Sequence, residues 1–452
     1  MTRMQELLNT TVPDLIKEYG VPGVAVGVAT AEETTVAGFG VTNVEHPLAV
    51  TGDTIFQVGS ISKTLLGVVI GKLLQRGKVE LDAPVHVLFP ADAGIDPRIT
   101  LRHTITHTSG IDAQNMIADA PRLLADHADD SIQASLQHFI HRPLMFEPGS
   151  DFTYSGPGIM LAAAVVERVT GRHYVDVLRE EVLEPAGMAT TFTSADEVVA
   201  RRVAGPHDRD AHGQPVLLID GGWQRHWQLP GWDVPGGGVL STVEDLLRYA
   251  RFVTSAAAPP RLFEPLASQG MHGHDIGLAW HLEPVGPHRS MSHSGLTIGY
   301  ATRLVIVPEA GLTYTVLTNS LHGGDVVAAI ERVVLDAVIG QSTQPEVAAV
   351  PTELAAALCG TYDCGFYGTM TVAHGERPGE LRMIPHAATT EPGQYVINLD
   401  GADRLVLAGP DSLVTLSADG TPGSRVGFVR ESDGSVSAMR FHGRLGRRLA
   451  DR

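Results

Sequence analysis

From Met4 to about Glu18 the apolar residues Leu7, Leu8, Val12, Leu15 and Ile16 recur at helical spacing, which predicts an amphipathic helix. Two runs rich in Val and Ala follow, Gly23 to Thr30 and Thr35 to Val41, and both have strand character. Ser60 to Leu74 predicts a helix that is apolar on most faces and therefore buried. From about Pro84 to Thr254 the pattern is mainly helical with long loops, clearest over Ile159 to Thr170, Tyr174 to Leu183 and Thr242 to Phe252. Thr242 stands as an N-cap of the last, with Asp245 three residues on. Short β-rich runs then return: Ile276 to Leu282, Arg289 to His293, Tyr300 to Val307 and Leu312 to Asn319. Asp325 to Ile339 is again helical. Strands on both sides of a helical middle predict an α+β fold, an antiparallel sheet with terminal helices packed on it and a helical subdomain inserted between strands.

The character changes after residue 340. Residues 341–353 have the composition of a linker. Residues 354–452 carry short runs such as Thr369 to Ala373, Gln394 to Leu399, Arg404 to Leu407, Leu413 to Leu416, Arg425 to Val429 and Val436 to Phe441, split by Gly, Pro, Asp and Asn. That pattern predicts a separate all-β domain, a barrel or a sandwich. The expected division is therefore 1–340, a linker over 341–353, and 354–452.

Charge narrows the function classes. Acidic residues outnumber basic ones 51 to 33, for a formal charge of −18. Such a surface repels phosphate backbones and anionic lipid, so neither nucleic acid nor a membrane is an expected partner. No apolar run reaches the roughly 18 residues of a membrane span. The first residues lack the tripartite pattern of a secretory signal, and the chain reads as a soluble cytoplasmic protein. Two cysteines, Cys359 and Cys364, make neither a disulfide framework nor a zinc site. Only four of the 33 basic residues are lysines, so a lysine inside a chemical motif stands out.

Lys63 is such a lysine. Ser60-Ile61-Ser62-Lys63 follows a strand-like run and opens the apolar helix, so Ser60 and Lys63 share one face one turn apart. A serine hydroxyl needs a nearby base to become a nucleophile. A lysine on a buried helix face pays a desolvation cost for its charge, and its neutral amine can take the serine proton. A second motif, Tyr154-Ser155-Gly156, lies in a Gly- and Pro-rich loop before a helix, and a tyrosine near an ammonium can relay a proton. The third is His293-Ser294-Gly295 at the end of a strand pattern, where the histidine can donate a hydrogen bond and the glycine permits close approach of a substrate backbone.

Together these motifs resemble those of the penicillin-recognising serine hydrolases, in the branch of class C β-lactamases, D-specific peptidases and related esterases. LRHTITHTSGI (Leu101 to Ile111), FEPGSDFTYSG (Phe146 to Gly156), PGGGVLSTVEDLLRYA (Pro235 to Ala250) and IGLAW (Ile276 to Trp280) support the resemblance, in family order over roughly residues 5 to 340. It implies a β-lactamase/penicillin-binding-protein-like fold, Ser60 as the nucleophile of an acyl-enzyme, and Lys63 and Tyr154 sharing acid and base work. It also implies His293 where β-lactamases carry a lysine, an oxyanion hole from the backbone N–H groups of Ser60 and Leu296, and substrate lying along Gly295. The second motif of the family usually ends in asparagine, which binds the substrate amide. Gly156 stands there instead, which puts amide recognition in doubt. Cys359-Gly360-Thr361-Tyr362 and the strands after it resemble the lipocalin-like barrel appended to some of these hydrolases.

Trp223, Trp227 and Trp232 cluster before the triple glycine Gly236-Gly237-Gly238, where they would line an apolar substrate pocket or pack a loop core. His103 and His107 have i, i+4 spacing but lack the glutamate of a zinc motif, and His272, His274 and His281 read as structural. No metal or cofactor is expected. The expected activity is that of a serine hydrolase on carboxylic esters or small peptides and amides. An acyltransferase or peptide cyclase would share its first half-reaction, and an inactive peptide-binding module is the reading from another class. The expected partner is a small ester or peptide substrate, with a homo-oligomer left open.

Overall fold

The computed structural model describes residues 2–112, 131–210, 212–218, 229–340, 347–376, 379–386, 403–409, 412–416, 420 and 422–450. Eight strands form one sheet: β1 (Gly23–Ala29), β2 (Thr34–Gly40), β3 (Ala267–Met271), β4 (His274–Ile276), β5 (His281–Val285), β6 (His288–Thr297), β7 (Tyr300–Val307) and β8 (Leu312–Thr318). Their order is β2-β1-β8-β7-β6-β5-β4-β3, and every neighbouring pair is antiparallel. Helices cover both faces, which is why β1 and β7 are almost continuously buried rather than alternating.

On one face lie α1 (Arg3–Glu18), through Leu8 and Val12, and a later helix, Gly324–Val338, through Val326, Ile330 and Val334. On the other face α5 (Val243–Val253) packs on β1 and β8, and α2 (Ser62–Gln75), α3 (Leu101–Ile105) and α4 (Gly156–Thr170) join it in one continuous core; the helical part sits between β2 and β3 in the chain, as the pattern predicts. Thr242 caps α5, its hydroxyl accepting from the Asp245 N–H at 3.2 Å. The α2 helix is buried nearly all round, with Leu65, Leu66, Val68, Val69 and Ile70 in the core.

One expected strand is two. The apolar run Ile276 to Leu282 breaks between β4 and β5, where Gly277 N–H bonds to Trp280 O and Ala279 takes a φ of 59°. The break sends Leu278 and Trp280 into the core. A Cβ at Gly67 of α2 would lie 2.1 Å from the Leu278 carbonyl oxygen, so the turn rests directly on the helix backbone. His281, the first residue of β5, follows directly after the break.

The C-terminal part is a closed antiparallel barrel of eight strands, β9 (Gly360–Asp363), β10 (Thr369–His374), β11 (Leu381–His386), β12 (Asp403–Leu407), β13 (Ser412–Leu416), β14 (Pro422–Arg430), β15 (Val436–Phe441) and β16 (Arg444–Arg448), with β9 pairing back to β16. Closure leaves no free sheet edge. Tyr362, Met370, Met383, Leu405 and Met439 fill the interior. The described end of the expected linker is attached to this barrel: Ala348 exchanges two backbone hydrogen bonds with Leu407, both 2.9 Å. The expected run Gln394 to Leu399 lies outside the described residues. Among those residues no helix is long and apolar enough to cross a membrane.

Candidate active site

The chain enters the site through Phe56–Gln57, which pairs with Leu240–Ser241. Gly59 then takes a φ of +56°, which turns the chain through a short 3-10 segment (Gly59–Ile61) into α2. A Cβ at Gly59 would stand 2.9 Å from the Leu296 nitrogen and 3.0 Å from the Gly295 Cα, so this turn is pressed against β6. The backbone N–H groups of Ser60 and Leu296 therefore belong to touching segments. Gly295 has a packing reason of its own: a Cβ there would meet the Val58 carbonyl oxygen at 2.1 Å and Thr302 Oγ1 at 2.2 Å. Glycine at 295 is what lets the strand lie on the Gly59–Ile61 turn, a reason distinct from the substrate approach expected of it.

Lys63 is 4% exposed. Its Nζ donates to Ser60 Oγ at 3.0 Å and also to the Gly236 carbonyl oxygen. The triple glycine makes that second contact possible, since the N–H groups of Gly236, Gly237 and Gly238 all bond to Asp233 O, at 2.9, 2.7 and 3.0 Å. Lys63 Nζ also lies 5.1 Å from the centroid of the Tyr154 ring. The next residue, Ser155, caps α4, accepting from Gly158 N–H at 3.2 Å and donating to Ile111 O at 3.0 Å. The Tyr154 hydroxyl is buried and has no hydrogen-bond partner among the described residues.

Three histidines surround this tyrosine. The rings of His107, His293 and His281 lie 4.4, 6.1 and 6.3 Å from it, centroid to centroid, and His281 and His293 are 4.9 Å apart. Their partners fix their tautomers. His107 Nδ1 accepts the Ser155 N–H at 3.1 Å, so in the neutral ring Nε2 carries the proton. His293 Nδ1 lies 2.6 Å from Ser294 O, an acceptor only, so Nδ1 carries the proton and Nε2 is left as an acceptor. The donor expected at His293 exists only when the ring is protonated. His281 Nδ1 lies 2.9 Å from Gln269 Oε1. The Gln269 amide nitrogen donates to Asp275 O at 2.6 Å, which fixes Oε1 as the acceptor for His281.

Burial, with Lys63 next, holds His107 well below the usual imidazole range. Burial holds His293 well below it too, followed by His281 and Lys63. Burial also lowers His281, against the opposite pull of Glu283. Near Lys63, burial pushes the Asp233 carboxyl up to about 6, with Lys63 opposing the shift. The sign of the pH dependence follows. His107 and His293 are 0% and 2% exposed and stay neutral when folded, whereas unfolded they take up a proton as pH falls through about 6.5. The unfolded state then comes to bind up to two more protons, so stability begins to fall as pH drops through about 6.5, each histidine contributing up to about 1.4 kcal/mol per pH unit once its unfolded form is fully protonated. Below about 6 the folded state gains a proton at Asp233, which offsets one of the two. The thermal midpoint is therefore lower at pH 5.5 than at 7.5, and His107→Asn, whose amide oxygen can accept the Ser155 N–H, flattens the decline. A midpoint independent of pH over that range contradicts this account.

The structure brings Ser60, Lys63, Tyr154, His293, Gly295 and Leu296 together. Gly156 opens α4 at the edge of the group with no side chain to offer. Trp223 and Trp227 lie outside the described residues, while Trp232 is buried in the hydrophobic core. His103 and His107 do not share a helix face: α3 ends at Ile105, His103 Nδ1 accepts from Thr100 N–H at 3.3 Å, and His107 has a φ of 60°. Sequence reasoning missed the nearness of His107, His281 and Asp233 to the site. It also missed the β15–β16 hairpin of the barrel, which reaches the tyrosine loop: Tyr154 N–H donates to Gly443 O at 2.8 Å. For His107 the signal was present in the LRHTITHTSGI run, which supports the resemblance without giving His107 a role.

A β-lactamase family model matches residues 8–339. Penicillin-binding protein 4 of Amycolatopsis lactamdurans is 27% identical over 372 residues, 76% of this chain and 94% of that protein. Esterase EstB of Burkholderia gladioli is 31% identical over 239 residues, 49% of this chain and 54% of the esterase. The crystal structure of SurE superposes with a TM-score of 0.68 at 22% identity, over 98% of this chain and 99% of that one, a likeness of fold that takes in sheet and barrel together. The family match runs through Ser60, Lys63, Tyr154 and His293, and the chain belongs to the β-lactamase family.

Proposed function

We propose that the protein is a serine hydrolase that acts on carboxylic esters, and on small amides or peptides, through an acyl-enzyme on Ser60. The observation that carries this reading is the hydrogen bond between Lys63 Nζ and Ser60 Oγ at the start of a buried helix. The Ser60 hydroxyl adds to the substrate carbonyl while its proton passes to the Lys63 amine. The bond to the leaving group then breaks, the leaving group takes a proton from the Lys63–Tyr154 pair, and the acyl group is left as an ester on Ser60. Water adds to that ester with the same base, releases the acid and restores the hydroxyl. The N–H groups of Ser60 and Leu296 would stabilise the oxyanion of both steps.

Ester chemistry is favoured over β-lactam chemistry. Gly156 cannot hold a substrate amide by a side chain, and esters depend less on that contact. A panel of p-nitrophenyl esters, D- and L-aminoacyl anilides and a chromogenic cephalosporin tests it, with the acyl-enzyme followed by intact mass. Ester turnover exceeds cephalosporin turnover by a wide margin. Efficient cephalosporin hydrolysis with poor ester hydrolysis would reverse the assignment.

A further inference from the structure

Both backbone polar groups of Tyr154 are satisfied from the barrel. Its N–H donates to Gly443 O at 2.8 Å, and its carbonyl oxygen accepts from Arg444 Nη1 at 3.3 Å. The residue before it is tied to the same hairpin, with Leu445 N–H donating to Thr153 Oγ1 at 3.1 Å. Gly443 packs against the loop, since a Cβ there would come within 3.5 Å of the Phe152 ring and 3.6 Å of Tyr154 Cβ. One side chain anchors the arrangement. Arg440 on β15 is 3% exposed and forms an ion pair with Asp151, three residues before the tyrosine. The same guanidinium donates from Nε to Phe152 O at 3.3 Å and from Nη1 to Gly270 O at 3.2 Å. It thus joins the barrel to the tyrosine loop and to edge strand β3 at once. The hydroxyl that this loop carries has no hydrogen bond to hold it, so its place is set by the loop backbone and by the groups packed on the ring.

We infer that Arg440 is a positioning residue for the reaction: through Asp151 and Phe152 it fixes the loop on which Tyr154 stands, so that the barrel completes the active site of the catalytic sheet. A guanidinium suits this task, because its planar fork serves a carboxylate and two carbonyl oxygens together, whereas a lysine could not reach all three. Displacing a reacting group by about 1 Å costs on the order of 100-fold in rate. The inference rests on the reading of Ser60 and Tyr154 given above, but it has its own test.

Labelling of the full chain by a fluorophosphonate, timed by intact mass over minutes to days, gives the acylation rate. Arg440→Gln lowers that rate at least tenfold, and it lowers kcat for a small p-nitrophenyl ester with little change in KM. Arg440→Lys, which keeps one donor for Asp151, recovers part of the loss. In a Tyr154→Phe background Arg440→Gln costs less than twofold, because the group it positions is gone. An unchanged rate in Arg440→Gln, or an equal loss in both backgrounds, overturns the inference. If Arg440→Gln does not yield folded protein, Thr153→Val removes the acceptor of the Leu445 N–H at constant volume and enters the same cycle with the same two outcomes. Failure of the nucleophile reading appears separately, as labelling that persists in Ser60→Ala.

Discussion

Replacing Ser60 with alanine takes fluorophosphonate labelling and ester turnover down by on the order of 10⁴-fold or more, while the thermal midpoint stays close to that of the parent. The stability half of this result follows from the local structure. Ser60 lies in the 3-10 turn and caps no helix, and its hydroxyl accepts from Lys63. Lys63 keeps a second acceptor, the Gly236 carbonyl oxygen, so the variant leaves its buried amino group with a partner. The cost in stability is then at most about 1 kcal/mol, the worth of one hydrogen bond. Normal turnover in a well-folded Ser60→Ala protein would end the assignment.

Lys63→Arg is nearly as damaging as Lys63→Ala, each lowering kcat by roughly 10³-fold or more. A guanidinium remains protonated at any accessible pH and cannot take the serine proton, so the conservative change removes the base. Lys63 sits 4% exposed between Ser60, Gly236 and the Tyr154 ring, and the longer side chain also has to displace one of them. Single-turnover acylation rates for the two variants decide the matter. If Lys63→Arg stays within tenfold of the parent, the lysine supplies charge and the base lies elsewhere.

Much of this architecture was legible before any coordinates. The bounds of β7 agree with the expected strand to the residue, and α2, α5 and the all-β C-terminal region fall where periodicity puts them. Ser60, Lys63, Tyr154 and His293 stood out as candidates because each sits in a short motif, although the loop of Tyr154 is held by residues far along the chain. What was not legible depended on distant partners. An apolar run such as Ile276 to Leu282 has the composition of one strand. Only the packing of Leu278 on Gly67 and of Trp280 in the core makes it turn at an alanine. That hidden turn is why His281 read as structural. The strand Arg444–Arg448 is short and rich in arginine, without alternating apolar positions. It has a pattern only in the folded molecule, where Arg444 and Arg447 bond to the carbonyl oxygens of Tyr154 and Met145.

The long reach of these pairings bears on the order in which the protein comes into being. At the ribosome β1 emerges early and has no partner on its inner side until Leu312–Thr318 has been made. The serine–lysine pair rests on Gly236, Gly295 and Leu296, whereas the tyrosine loop acquires its last supports from residues 440–445. Closing loops of that size is slow relative to local helix formation. Helical structure is therefore gained well before turnover, in synthesis and in refolding alike. In a nascent chain the helix that carries Ser60 and Lys63 is thus complete for most of translation before the tyrosine loop gains its last supports.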